Sequence, residues 1–258
     1  MKLFVFTGPT LSADEGRTLL DAVFLPPAAQ GDVYLAAREK PVAIGIIDGY
    51  FERVPSVSHK EVLWALSQGI HVFGASSMGA LRAAELAPFG MEGVGTVYDA
   101  YQSGRLEADD EVAVTHGAAE DGFRATSEAM VNVRATLHAA ERAEVISPGS
   151  RAILERRAKS LFYPDRRYPT VLSLAEAEGV ASAEVEALRA FLPTGRVNPK
   201  RQDALELLRI LRERTAQGLE PKQVRWHFER TDAWEYIRAN AERRAQGPGT
   251  KGLAAVRG

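Results

Sequence analysis

Residues 71–86, HVFGASSMGALRAAEL, constrain the fold most: a short buried-strand pattern, HVFGA, runs through two serines into a helical pattern, MGALRAAEL. Small residues permit a tight strand-to-helix turn, and the start of the helix behind it offers unpaired N–H groups to negative charge. A hydroxyl at such a junction caps the helix, binds an anion or acts as a nucleophile.

The same alternation recurs along the first half. KLFVF at residues 2–6 predicts a buried first strand leading into the turn TGPTLS. A helix is expected over residues 13–23, then the pair Pro26 and Pro27, a strand near DVYLAA, an apolar strand at PVAIGIIDG and a helix carrying KEVLWALSQG. This rhythm predicts an α/β fold, a parallel-sheet Rossmann-like sandwich whose functional residues lie beyond the carboxyl ends of the strands. The second half changes to helical periodicity, in EAMVNVRATLHAAERAEVIS, SRAILERRAKSLFYP, SAEVEALRAFLP and KRQDALELLRILRERTAQG among others. The expected organisation is an α/β core over 1–148, a break at SPGS, an appended C-terminal helical domain over 149–246 and a glycine-rich flexible tail over 247–258.

Charge and composition narrow the function. With 32 basic and 34 acidic side chains there is no global basic field to attract nucleic acid. The basic and aromatic run RRAKSLFYPDRRY, residues 156–168, is the one local exception, and it reads more simply as a charged helix surface. Cysteine is absent, which excludes a thiol nucleophile, a cysteine metal site and disulfides. The start MKLFVFTGPTL lacks the long apolar region of a signal peptide, and no apolar stretch long enough to span a membrane follows, so a cytoplasmic protein is expected.

The serine turn allows several chemistries. Centred on Ser77, it reads Ala-Ser-Ser-Met-Gly, a relaxed nucleophile elbow in which the N–H of Met78 is placed to hold an oxyanion. Ser76 and Ser77 serve equally as helix caps or anion ligands. A nucleophilic serine needs activation, for which His59 is the nearest base and Lys60 a second base or a cation. Asp48, at the end of an apolar strand, is the candidate third member, orienting His59 or neutralising Lys60; as an Asp-Gly pair it also reads as a turn. Thr7 and Gly8 in the first strand-end loop are candidate rim residues for an anion. The cluster Asp109, Asp110 and Glu111 matches no metal-binding spacing, and neither phosphate-loop nor dinucleotide signature is present, so no cofactor or metal is expected.

Taken in order, FTGPTL, DGYFERVPSVSHKEVLWAL, GASSMGALRAAEL, GMEGVGTVYDAYQSGRL and DDEVAV resemble the TfuA family over about residues 2–135. Members occur beside YcaO-type enzymes that modify peptide backbones. The resemblance implies a part in ATP-dependent peptide or protein thioamidation, with a YcaO-type partner, a thiocarboxylated ubiquitin-like sulfur carrier and a precursor peptide as candidate partners. It carries Asp48, His59, Lys60, Ser77, Arg82, Asp109, Asp110 and Glu111 as motif residues. One implied mechanism is hydrolysis of the carrier's thiocarboxylate with release of sulfide, Ser77 attacking while Arg82 or Lys60 offsets the substrate's charge. The other is a non-catalytic adaptor that presents the carrier to the YcaO-type enzyme. For the adaptor, or for a homo-oligomer, the aromatics Trp226, Phe228, Trp234 and Tyr236 offer a contact surface if exposed and ordinary core if not.

Overall fold

The computed structural model describes residues 2–52 and 54–246, so the tail expected at 247–258 lies outside the described residues. Five strands, β1 Leu3–Phe6, β2 Val23–Leu25, β3 Ala43–Ile46, β4 His71–Ala75 and β5 Glu92–Val94, form one parallel sheet in the order β2-β1-β3-β4-β5. The helices between and after them are α1 Ala13–Leu19, α2 Asp32–Arg38, α3 His59–Ser67, α4 Met78–Leu86 and α5 Thr96–Gln102. β1, β3 and β4 are buried along their whole length, which is why they read as unbroken apolar runs. Leu3, Val5, Ala43, Phe73 and Ala75 share a core with Leu207, Leu208 and Leu211 of α10, Pro199–Ala216. On the opposite face Gly74 meets the backbone of α4 at Gly79.

Two expectations are corrected here. DVYLAA is not a strand but α2, buried on Val33, Tyr34, Leu35, Ala36 and Ala37, so its apolar residues show no one-sided helical pattern. Its start is set by Gly31 in the left-handed region (φ 92°) and by Asp32, whose carboxylate accepts the Ala29 N–H at 2.9 Å. The chain also does not divide near residue 148. One compact unit comprises the described residues up to Glu107 together with those from Arg201 onward; the other is Ala108–Lys200. The reason is the amphipathic α10, whose leucines complete the sheet's core, and α11, Asp232–Gln246, whose Trp234 and Ala241 cluster with Tyr34 and Leu35 of α2. The second unit has its own core, built from α6 Met130–Arg142, α7 Pro148–Ser160, α8 Tyr168–Ala177 and α9 Ser182–Gly195.

The returning helix also caps α5, the helix that follows the last strand. Asp203 of α10 accepts the N–H groups of Thr96 (2.9 Å) and Val97 (2.8 Å) and the Thr96 hydroxyl (3.2 Å), capping α5 from a distant part of the chain. Gly95, at φ 93°, leaves the space this needs, since a Cβ there would sit 2.2 Å from the Asp203 carboxyl carbon. Asp203→Ala strands two backbone donors and is expected to lower stability by about 2 kcal/mol, read as an earlier urea midpoint, with Asp203→Asn intermediate.

Candidate functional site

The turn after β4 is built by close backbone contact. A Cβ on Gly74 would lie 2.1 Å from the Gly79 carbonyl oxygen, and one on Gly79 would lie 1.7 Å from that of Ile46. These two glycines let the first turn of α4 rest directly on β3 and β4, and the chain must reverse within Ser76 and Ser77. Ser76 takes φ 68°, and the Ser77 N–H donates back to the Ala75 carbonyl at 2.7 Å, closing a γ-turn around Ser76. Ser77 is the N-terminal boundary residue of α4, and its side chain does not cap a helix N–H. Ser76 is fully buried and its hydroxyl oxygen has no hydrogen-bond partner, whereas Ser77 is 9% exposed.

The expected triad is not assembled. Asp48 follows β3 and is buried, but its carboxylate accepts the N–H groups of Gly8 (2.9 Å) and Thr10 (3.0 Å) and the Thr10 hydroxyl (2.6 Å). It therefore ties the loop after β1 to the end of β3, across the point where strand order reverses, the place where open α/β sheets usually take a ligand. The expected orientation of His59 or neutralisation of Lys60 by Asp48 is replaced by this loop anchor. Thr7 and Gly8 are likewise engaged within the loop: the Thr7 hydroxyl donates to the Leu11 carbonyl at 2.6 Å, and the Gly8 N–H is held by Asp48.

His59 and Lys60 open α3, where Ser58 and Glu61 form a capping box. The His59 Nε2 lies 2.9 Å from Glu85 of α4, and the Lys60 ammonium donates to the Glu229 carbonyl at 3.0 Å and sits 5.3 Å from the centre of the Phe228 ring. Arg82 does not reach out as an anion clamp. Its Nε donates to the Val57 carbonyl (2.8 Å), its two terminal nitrogens to Glu85 (2.6 Å) and the Ser56 hydroxyl (3.2 Å). Arg82 and Glu85 thus fasten the end of the loop before α3 to the helix that begins at the serine turn. Burial raises the Glu85 carboxyl, but His59 and Arg82 outweigh it and hold it below the ordinary glutamate range.

The acidic cluster belongs to the second unit, and two of its members, Asp110 and Glu111, are held in ion pairs. Asp110 pairs with Lys159 and with the buried guanidinium of Arg166 (2.7 Å), which also donates to the carbonyls of Ala158 and Asp110 at 3.0 Å. Glu111 pairs with Arg134 (3.1 Å) and Lys159 (3.0 Å), while Asp109 is exposed. Burial works against both carboxylates, and the hydrogen bonds from these cations hold Asp110 and Glu111 below their usual range. The run 156–168 is accounted for in the same way: Arg156 and Arg157 pair with Glu178, and Tyr163 and Tyr168 are buried. Of the aromatic set near the C-terminus, Trp234 is core, Phe228 packs against it, the Trp226 indole donates to the Phe89 carbonyl at 2.9 Å, and Tyr236 is 66% exposed.

Glu61 is the acidic member of the capping box that Ser-x-x-Glu at 58–61 signals. It accepts from Ser58 N (2.9 Å) and Tyr34 N (3.3 Å), yet full burial outweighs these bonds and pushes its carboxyl from 4.5 up to about 7. Because the folded value is the higher one, this contribution to stability is complete below pH about 4.5 and is lost as pH rises through about 7, a change of about 3 kcal/mol. The melting temperature is expected to fall across that window relative to Glu61→Gln, whose profile lacks this slope.

Residues 48–167 match the family model described as TfuA-like protein. Over this span the chain is similar to the TfuA-like family. No curated protein matches it. The matched span of this TfuA-like chain begins at Asp48 and includes α3, the serine turn, α4 and the acidic cluster of the second unit. TfuA-like proteins as a family are associated with YcaO-type partners. Among the described residues no helix is long and apolar enough to cross a membrane, and no cluster of three or more His, Asp or Glu is placed to hold a metal ion.

Proposed function

We propose that this TfuA-like chain hydrolyses the thiocarboxylated C-terminus of a small ubiquitin-like sulfur carrier and delivers the sulfide to a YcaO-type, ATP-dependent enzyme. The observation that carries the reading is the serine turn at the carboxyl end of β4, where a strained backbone places two hydroxyls at the start of a helix resting on the sheet. A serine oxygen attacks the thioacyl carbon, sulfide leaves, and water then releases the carrier carboxylate from the acyl-enzyme. The thiocarboxylate is already an anion, so the positive end of α4 contributes by holding that charge as the tetrahedral intermediate forms.

The second reading is an adaptor that holds the carrier tail while the partner does the chemistry. It is favoured by the engagement of Asp48, His59, Lys60 and Arg82 elsewhere, which leaves the serine turn without the expected triad. Incubation with a ubiquitin-like protein ending in a Gly-Gly thiocarboxylate, without ATP, separates the two. The hydrolase releases sulfide and converts the carrier to its carboxylate, and the double variant Ser76→Ala/Ser77→Ala loses at least about 100-fold of that rate. Carrier binding with no sulfide from the parent chain supports the adaptor.

A further inference from the structure

The long connection between α10 and α11, residues 217–231, contains no helix or strand, and connections of this kind in compact units usually carry function. It is fastened at both ends. The Lys222 N–H donates to the Gly69 carbonyl (2.8 Å) and its ammonium to Glu92 (3.0 Å), while the Glu229 carbonyl accepts from Lys60. Between these anchors partly buried Val224, Trp226 and Phe228 alternate with exposed Gln223, Arg225, His227 and Glu229, and Arg230 beyond them is exposed as well. Among the described residues of this unit every other arginine is paired with a carboxylate or hydrogen-bonded, but the side chains of Arg225 and Arg230 make no such contact. Beside them the Phe89 ring, 43% exposed, meets that of Trp226 edge-on, with centroids 6.3 Å apart. An exposed aromatic pair flanked by guanidinium groups has the composition of an interface centre, and cations left without counter-charges select an acidic partner.

We propose that this face docks the folded body of the ubiquitin-like carrier, which meets it with an apolar spot bordered by carboxylates; this rests on the carrier being the ligand proposed above. Phe89 ends the short 3-10 turn Ala87–Phe89 that follows α4, and Ser77 precedes α4. At 1.5 Å per residue along α4 and 2.0 Å along that turn, Phe89 lies about 20 Å from the serine turn. An extended tail covers this distance in about six residues at 3.3 Å each. The carrier body therefore sits clear of the crowded turn, and only its tail runs along α4 to reach it. The two guanidinium groups steer the encounter and set the affinity, while the chemistry at the turn proceeds without them.

The test uses the full chain, the double variant Arg225→Glu/Arg230→Glu and Phe89→Ala. Sulfide release is measured from the Gly-Gly thiocarboxylate protein described above and from a peptide thiocarboxylate carrying only its last six residues or so. Both arginines are exposed, so the double variant is expected to keep the parental melting temperature. With the protein substrate the double variant is expected to raise KM at least about tenfold and Phe89→Ala about fivefold, each with kcat within about twofold of the parent. With the peptide both constants stay parental. Raising salt from about 0.05 to 0.5 M is expected to bring the parent's KM toward that of the double variant. Isothermal titration with the same carrier ending in an ordinary carboxylate is expected to show a dissociation constant weakened by the same factor. A parental KM and dissociation constant in the double variant, or an equal loss with the peptide, overturns the docking face and leaves the hydrolase standing. If the double variant then loses binding to the YcaO-type enzyme instead, the face belongs to that partner. No sulfide from the parent, with carrier binding still weakened in the double variant, overturns the hydrolytic reading and keeps the docking face. No carrier binding by the parent overturns both.

Discussion

Gly79→Ala is expected to prevent folding of the sheet unit or to destabilise it by more than about 4 kcal/mol. The added Cβ would lie 1.7 Å from the Ile46 carbonyl oxygen, and the obstacle is the backbone of a central strand, not the movable end of a side chain. Relief requires α4 to lift from β3, which parts Gly74 from Gly79 and opens the turn that contains both serines. The measurement is circular dichroism with urea titration of the purified variant, against Gly104→Ala as a control. Gly104 also has a positive φ, of 71°, but nothing lies within 4 Å of its added Cβ. That control is expected to cost only about 1 kcal/mol, from backbone strain alone. A Gly79→Ala protein with parental stability would show that α4 does not rest on the sheet as described.

Asp48 separates an anchoring role from a catalytic one with a single pair of variants. Asp48→Ala leaves the N–H groups of Gly8 and Thr10 and the Thr10 hydroxyl without their buried acceptor, and a loss of about 3–5 kcal/mol is expected. Asp48→Asn keeps one oxygen for the two N–H groups and offers an amide donor to the Thr10 hydroxyl, so its stability is expected within about 1 kcal/mol of the parent. If Asp48 only ties the loop down, the asparagine variant also retains sulfide release within a few-fold. In a Ser-His-Asp triad the same change costs about 10⁴ in rate. A stable but inactive Asp48→Asn protein would therefore restore the triad that the distances argue against.

What the sequence made legible follows from the range of the forces involved. The strands β1, β3 and β4 and the helices α3 and α4 are visible because buried strands demand unbroken apolar runs and the intervening turns demand glycine or capping residues. α2 was misread because it is covered on most sides and loses the one-sided pattern that identifies a helix. β5, only three residues long and glycine-centred, has too little pattern to find. At the site, the serine turn was legible from small residues adjacent in sequence. The partners of its neighbours were not, because Asp48 with Thr10, Lys60 with Glu229 and Asp203 with Thr96 are separated by 38, 169 and 107 positions. The strain at Ser76 was invisible for another reason: it depends on how closely Gly74 and Gly79 bring the helix to the sheet, a distance no residue type specifies.

The return of α10 and α11 to the sheet has a consequence for how the protein is made. A ribosome releases all five strands before residue 95, yet the leucines that cover one face of the sheet and the carboxylate that caps α5 are encoded after position 200. Residues 108–200, whose core is internal, can condense while they emerge, but the sheet must wait for more than a hundred further residues with an apolar face unsheltered. A transcript cut after codon 148 would encode the complete sheet and yet yield a chain prone to aggregation, so truncated versions of this protein are best designed by excising the middle of the gene instead of its end.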